Sequence, residues 1–386
     1  MAALSGITVL EFSRVLAGPW CGMMLADLGA NVIKVEDFDG DDTRGLGPPF
    51  KDGMSAYFAC CNRNKKSIAL DLRHPDSRPL VEALVRSADV LVENFRTGTA
   101  ERLGLGHAAL AELNPRLVYC SISGYGREGP GAQRAGYDFV VQAEAGLMSI
   151  TGPADGAPSK VGVAVADLAT GQNAAIAIRA ALRERDASGR GQRVEVSLFD
   201  TQLGWLANVG SNVLFTGEEA PRHGNAHASI VPYQAFAACD REFVLAVASE
   251  KLWRALCEAI GRPHWIEHPD YRDNAARVHH RIALCGELQE LFAGATASHW
   301  IALLAAAGVP AAPIQGVRQA LADPLARERG MTIELRGVPM VASALRLSRT
   351  PVAYRLPPPT LGEHSDELAA RHGADAAALR RAGAMR

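Results

Sequence analysis

The 386-residue chain lacks any apolar run near the roughly 20 residues that span a bilayer, and its start has no basic segment followed by a long apolar stretch. Neither a membrane partner nor a secretory leader is expected. An excess of either charge is also missing: 40 Lys and Arg stand against 42 Asp and Glu, a formal net charge of −2. That balance argues against nucleic acid or an anionic membrane surface as the main partner. The seven cysteines (Cys21, Cys60, Cys61, Cys120, Cys239, Cys257 and Cys285) contain no CxxC pair. An odd, scattered set reads as the reduced thiols of a cytoplasmic protein, packed as small hydrophobes. The eleven histidines include no HExxH, so no metal site is expected. No repeat of fixed period is present. What remains is 48% hydrophobic and 21% charged, a soluble globular composition long enough for two domains.

Strand and helix patterns alternate from the start. Gly6–Phe12 reads as a strand, Ala17-Gly-Pro19 as a turn, Trp20–Leu28 as a helix closed by Gly29, and Asn31–Val35 as a second strand. This βαβ opening predicts a parallel sheet. Its first turn lacks GxGxxG, so a dinucleotide fingerprint is absent there. Further strands are expected at Ser67–Leu72, Ala88–Glu93, Leu117–Ser123 and Arg193–Ser197, with helices between them and a mostly apolar helix, Leu198–Leu214, after the last. Ligands of open α/β sheets bind at the carboxyl ends of strands, which points to Asn94, Phe95, Ser123 and Tyr125. The polar stretch Glu218–His227 reads as a domain boundary, followed by a smaller α+β unit.

Val161-Gly-Val-Ala-Val-Ala-Asp-Leu-Ala-Thr-Gly-Gln172 is the most informative stretch. Asp167 follows a small, apolar, strand-like run and precedes a helical segment, Asn173–Arg183. It is the only acidic residue between Asp155 and Glu184, and this isolation favours its ionised form. Taken alone, the spacing suits a helix N-cap as well as a nucleophile. Asp138, after Tyr137, reads as a structural hydrogen-bond acceptor or a second active carboxylate.

Some ten blocks in order along the chain resemble the class III CoA-transferase family. They are Leu16-Ala-Gly-Pro19, Asp27-Leu-Gly-Ala-Asn-Val-Ile-Lys-Val-Glu36, Asn62-Arg-Asn-Lys-Lys-Ser-Ile-Ala-Leu-Asp71, Val92-Glu-Asn-Phe95, Arg102-Leu-Gly104, Ser123-Gly-Tyr-Gly126, Gly136-Tyr-Asp138, Gly189-Arg-Gly-Gln192, Gly224-Asn225 with Pro232-Tyr-Gln234, and Leu361-Gly-Glu-His364. The resemblance implies an α/β fold. A large doubly wound, Rossmann-like domain comes from both chain ends (1–220 and 326–386), with a smaller α+β domain, 221–325, inserted. It also implies an interlocked, obligate homodimer. The implied nucleophile is Asp167. The implied CoA contacts are Val15, Ala17, Leu70, Arg73, Asn94, Phe95, Arg102 and Leu103, with Tyr137 near the acyl group. CoA and acyl-CoA are substrates, and no permanently bound cofactor is implied. The chain departs from the pattern at Leu16, where some members have glutamine, and at Asp37, where some have a basic residue.

The implied reaction moves CoA from an acyl-CoA, succinyl-CoA by the similarity of Gly224–Gln234, to a small, dicarboxylic acid. Two other readings share these residues: a 2-methylacyl-CoA racemase, and a CoA-ester-binding protein without catalysis. Similar racemases carry histidine where this chain has Tyr137. A phenol of pKa about 10 is a poorer base near neutrality, which favours transfer. His223 and His227 are loop residues that face either solvent or the acyl group.

Overall fold

The computed structural model describes residues 2–386. Six strands form one parallel sheet: β1 (Thr8–Glu11), β2 (Asn31–Glu36), β3 (Lys65–Ala69), β4 (Val90–Glu93), β5 (Val118–Ser123) and β6 (Arg193–Ser197). They lie in the order β3-β2-β1-β4-β5-β6, with every neighbouring pair parallel. This is the strand order of a Rossmann-like fold. A GxGxxG match does occur at Gly124–Gly129, but it follows β5 and no helix begins after it, so it lacks the strand–turn–helix context of a dinucleotide site.

Side chains alternate across the sheet, and both faces are covered. Val9, Val32, Val90, Val92 and Cys120 pack on one face with the helices Ala17–Asp27 and Val165–Ser188. Leu10, Ile33, Leu91 and Tyr119 pack on the other, against the helices Arg78–Ser87, His107–Leu113, Ser365–Arg371 and Ala376–Ala382. The last two helices come from the end of the chain. They are fastened to β3 by a bridge between Leu70 and Met385 and by the Arg386 amide donating to Ala69 O.

The chain divides into two compact units: Met1–Leu147, Val161–Gly217 and Pro324–Arg386 form one, and Met148–Lys160 with Glu218–Asp323 form the other. The sequence pattern did not separate 148–160 from the large unit. That segment folds with the second because the Arg222 guanidinium donates to the carbonyls of Ser149, Pro153 and Gly156. The second unit holds a three-stranded antiparallel sheet, Tyr233–Ala237, Glu242–Ala246 and Ala311–Pro313, with helices that include Glu250–Ala259, Arg281–Phe292 and Ala297–Ala306. Among the described residues no helix is long and apolar enough to cross a membrane.

Two expected elements differ. Val161–Ala164 is not a strand, and the long helix begins at Val165, ahead of Asp167 rather than after it. Val163 is exposed and has no strand to pair with, while the Ala166 amide finds an acceptor in Asp138 Oδ1 at 2.8 Å and starts the helix early. The expected helix Leu198–Leu214 breaks into Leu198–Gly204 and Ala207–Thr216, with Ala207 at φ 45°. Cys60 and Cys239 are exposed, contrary to the buried reading of all seven thiols.

Gly124 and Gly136 bring two loops into backbone contact. A Cβ on Gly136 would sit 2.2 Å from Gly124 Cα, and one on Gly124 would sit 2.4 Å from Gly136 Cα. Backbone cannot yield as a side-chain tip does. Gly136→Ala is therefore expected to lower stability by about 2 kcal/mol or more, the range of overpacked sites. A urea melt checks this, and an unchanged midpoint would contradict the close packing.

Candidate active site

The strand order reverses between β1 and β4, and the chain leaves these two strands in opposite directions. Such a switch point opens a crevice at the carboxyl ends of the strands. Asn94, just after β4, bridges it: its Oδ1 accepts from Arg14 N and its Nδ2 donates to Arg14 O, both at 2.9 Å. Arg127 anchors the far side. Its guanidinium lies 3.0 Å from Glu93 and also donates to Phe95 O, Ile122 O and Ser121 Oγ. Burial pushes the Glu93 carboxyl up from its ordinary pKa even though Arg127 pulls it down.

A cavity of about 500 Å³ fills the crevice. Its walls are Arg14–Ala17 after β1, Asn94–Thr97 after β4, Ser123 and Gly124 after β5, the loop Ala132–Tyr137, and Asp167. Asp167 sits in the first turn of the helix Val165–Ser188, where Ala164, not Asp167, is the N-cap. The cap reading therefore does not hold. Asp138 supplies the acceptor instead: Oδ1 takes the Ala166 amide and Oδ2 takes Gln142 Nε2, while Gln142 Oε1 takes the Val161 amide. Asp138 and the fully buried Gln142 thus hold both ends of the segment leading to Asp167.

Asp167 keeps a window onto the cavity while protein surrounds most of it. Burial, and then the nearby Asp138 carboxylate, push its pKa up to about 7. The first-turn position pulls the other way by only about 0.3–1 kcal/mol, so burial wins. The expected ease of ionisation is corrected here: Asp167 is isolated in sequence, but the fold sets Asp138 beside it. Tyr57, which the sequence reading missed, lies near enough to feel the charge of Asp167. Burial, with Asp167 the next contributor, pushes its phenol up to about 12.

Of the residues singled out beforehand, Val15, Ala17, Asn94, Phe95, Tyr137 and Asp167 line the cavity together. Tyr137 is 65% exposed, so it is not a core residue. Leu70, Arg73, Arg102 and Leu103 do not line it. Leu70 is fully buried at the junction with the chain end, and Leu103 packs against the hydrophobic core. Arg73 is exposed after β3. Arg102 is bonded to Thr99 Oγ1 at 2.8 Å, with its guanidinium over Gly98 beside the rim. The structure instead presents Arg14, Arg96, Arg127 and Arg134. Three of these pair with Asp37, Glu93 and Glu144. The exposed side chain of Arg96 has no such partner among the described residues. Its place directly after Val92-Glu-Asn-Phe95 was the available signal.

His223 and His227 are part-buried in the second unit, where His223 lies 3.4 Å from Arg281 and His227 packs on Tyr233. His264 and His268 are spaced four apart, but His268 stacks on Tyr271 instead. Among the described residues no three His, Cys, Asp or Glu converge as a metal set.

The chain belongs to CoA-transferase family III. The family model matches residues 4–365. A succinate–glutarate CoA-transferase of Agrobacterium fabrum is 43% identical, over 95% of this chain and 95% of its own length. Human succinyl-CoA:glutarate CoA-transferase is 40% identical, over 95% of this chain and 86% of its own. The crystal structure of a CaiB/BaiF family protein from Brucella suis superposes with a TM-score of 0.87 at 42% identity, covering 96% of this chain and 99% of that one. The protein is thus a CoA-transferase, which sets aside the racemase and the non-catalytic readings.

Folded Asp167 holds its proton up to about pH 7. An unfolded aspartate loses its proton near 4, so the folded state binds more protons between these values and stability falls as pH rises through that window. Asp167→Asn removes this cost. At pH 8 the variant is expected to be more stable than the parent by on the order of 1–3 kcal/mol, and near pH 4 the two should match. Urea melts at both pH values decide it, and equal stability at pH 8 would contradict the burial argument.

Proposed function

We propose that the protein moves CoA from succinyl-CoA to a small dicarboxylic acid through covalent intermediates on Asp167. The observation that carries this is a single half-buried carboxylate at a helix start, facing a cavity at the sheet's switch point. The relatives' substrates suggest an acceptor of glutarate length.

The Asp167 carboxylate attacks the thioester carbonyl, the C–S bond breaks, and CoA leaves as thiolate, giving a succinyl–aspartyl anhydride. The thiolate then attacks the aspartyl carbon. Succinate departs and an aspartyl-CoA thioester forms. The acceptor carboxylate attacks that thioester, and the thiolate takes the acceptor's acyl group, restoring Asp167. No hydrolysis occurs, so the energy of the thioester is conserved. Each attack passes through an oxyanion that needs N–H donors. The Ala17 and Gly18 amides, in the first turn of the helix Ala17–Asp27, have no acceptor among the described residues and suit that task. Attack needs the ionised form, so the rate of acylation should rise between about pH 6 and 8, around the pKa of about 7.

In this reading Val15, Ala17, Asn94 and Phe95 hold the pantetheine arm, and Tyr137 and Tyr57 flank the acyl group. Arg96 at the rim, with Arg102 and Arg73 farther out, meets the CoA phosphates, which suit arginine forks. The working unit in this reading is a homodimer, interlocked as the family resemblance implies. Leu214 and Phe215 support it: they are 87% and 91% exposed, an unusual state for such side chains in a lone chain.

Incubation with succinyl-CoA followed by hydroxylamine is expected to modify the peptide containing Asp167, as read by mass spectrometry. Asp167→Asn should fold and dimerise yet transfer nothing. Label on Cys60 with Asp167 untouched would overturn the scheme. Light scattering should give twice the 41.0 kDa chain mass, and Phe215→Glu should weaken the assembly. A parent protein that runs as a monomer would remove the dimer from the proposal.

A further inference from the structure

We propose that the buried ion cluster beneath the loop after β1 is a positioning device: through Asp41 it holds Val15 in a left-handed backbone conformation, so that Arg14–Ala17 lines the cavity. This rests on the reading above that the cavity takes an acyl-CoA.

Glu11, Lys34, Asp41 and Lys65 are each at most 2% exposed, and their charges cancel. None of them lines the cavity, and the transfer chemistry uses none of them. Lys34 Nζ lies 3.0 Å from Glu11 Oε1 and 2.8 Å from Asp41 Oδ2, and it donates to Ser13 O at 2.9 Å. Lys65 Nζ lies 2.8 Å from Glu11 Oε2 and donates to Pro19 O at 2.9 Å. The two ammonium groups thus grip the loop at both ends, at Ser13 and at Pro19. Buried ion clusters stabilise a fold poorly because desolvation offsets the attraction. What this one supplies is geometry.

The middle of the loop shows the effect. Val15 has φ 66°, a steric outlier for a β-branched residue. Its amide points at both oxygens of Asp41, at 3.2 and 3.3 Å. Thr43 fixes that carboxylate by its amide at 3.0 Å and its hydroxyl at 2.7 Å. Burial pushes Asp41 up, but Lys34 and Thr43 outweigh it and bring its pKa down to about 2. The clamp is therefore charged throughout the working range. Val15 in turn lines the cavity that Asp167 faces.

Relief of strain gives a specific test. In Asp41→Asn one face of the carboxyl becomes an N–H₂, which confronts either Lys34 or the Val15 amide with a donor. Val15 then relaxes toward negative φ and the loop leaves its place. Glycine adopts φ 66° freely, so Val15→Gly uncouples the loop from the clamp. Asp41→Asn and the charge-balanced double variant Lys34→Met/Asp41→Ala, which keeps the Glu11–Lys65 pair, are made in the full chain, each with and without Val15→Gly. Steady-state turnover of succinyl-CoA is measured alongside thermal melting. We expect Asp41→Asn to raise KM for succinyl-CoA about 10-fold with kcat within about 2-fold. In the Val15→Gly background the same change should raise KM less than about 3-fold. The double variant, which leaves no unpaired Asp41 or Lys34 charge, should repeat both results in protein that melts cooperatively. An unchanged KM in folded Asp41→Asn, or an equal rise in both backgrounds, overturns the clamp. If the parent turns over no acyl-CoA, the reading of the cavity fails and the clamp's purpose with it. If the parent is active and KM does not respond, the clamp alone fails.

Discussion

Asn94 bonding both backbone groups of Arg14 is the contact on which the site depends. At a switch point two loops diverge, and nothing in the sheet itself ties them. One amide side chain closes that gap at the rim and leaves the cavity open beside it. Arg127 serves the opposite wall by gathering three carbonyl and carboxyl groups around Glu93 and Phe95. The cavity is thus framed by polar ties at the carboxyl ends of strands whose own side chains form the hydrophobic layers.

In the proposed reaction Asp167 lives under two opposed demands. A nucleophile must be ionised, and an acyl intermediate must be kept from water. Burial serves the second and opposes the first, and the pKa of about 7 is where the balance falls. Asp138 tips the balance further toward the protonated form, yet it is also the acceptor that starts the helix and aims Asp167. Structural need and electrostatic cost meet in one carboxylate. In the proposed scheme bound substrate excludes more water and amide donors favour the negative charge, which makes the compromise workable.

The family comparison and the geometry support different parts of the account. Identity of 40–43% across nearly the whole chain carries the reaction class. The cavity and its partners support the proposed roles, down to which arginine lacks an acidic neighbour. Arg14, Arg127 and Arg134 are engaged by acidic neighbours, whereas Arg96 is not.

Local pattern was enough for much of this protein. The alternation of apolar strands with helices, the Gly29 stop and the small-residue approach to Asp167 all lie within a few residues of one another. Short-range sterics and periodicity therefore decide them, and the parallel sheet follows. The strand reading of Val161–Ala164 failed because an apolar run becomes a strand only beside a partner, and the fold offers none there. The raised pKa of Asp167 was illegible for a related reason: Asp138 is remote in sequence and adjacent in space. Arg73 and Arg102 resembled phosphate ligands by motif, but only the path of the loops decides which guanidinium reaches the cavity rim. The chain by itself determined the strands of the parallel sheet and which carboxylate stands alone among apolar neighbours. Tertiary structure alone decided that carboxylate's charge, its walls and its partners, because electrostatics and burial act through space and not along the backbone.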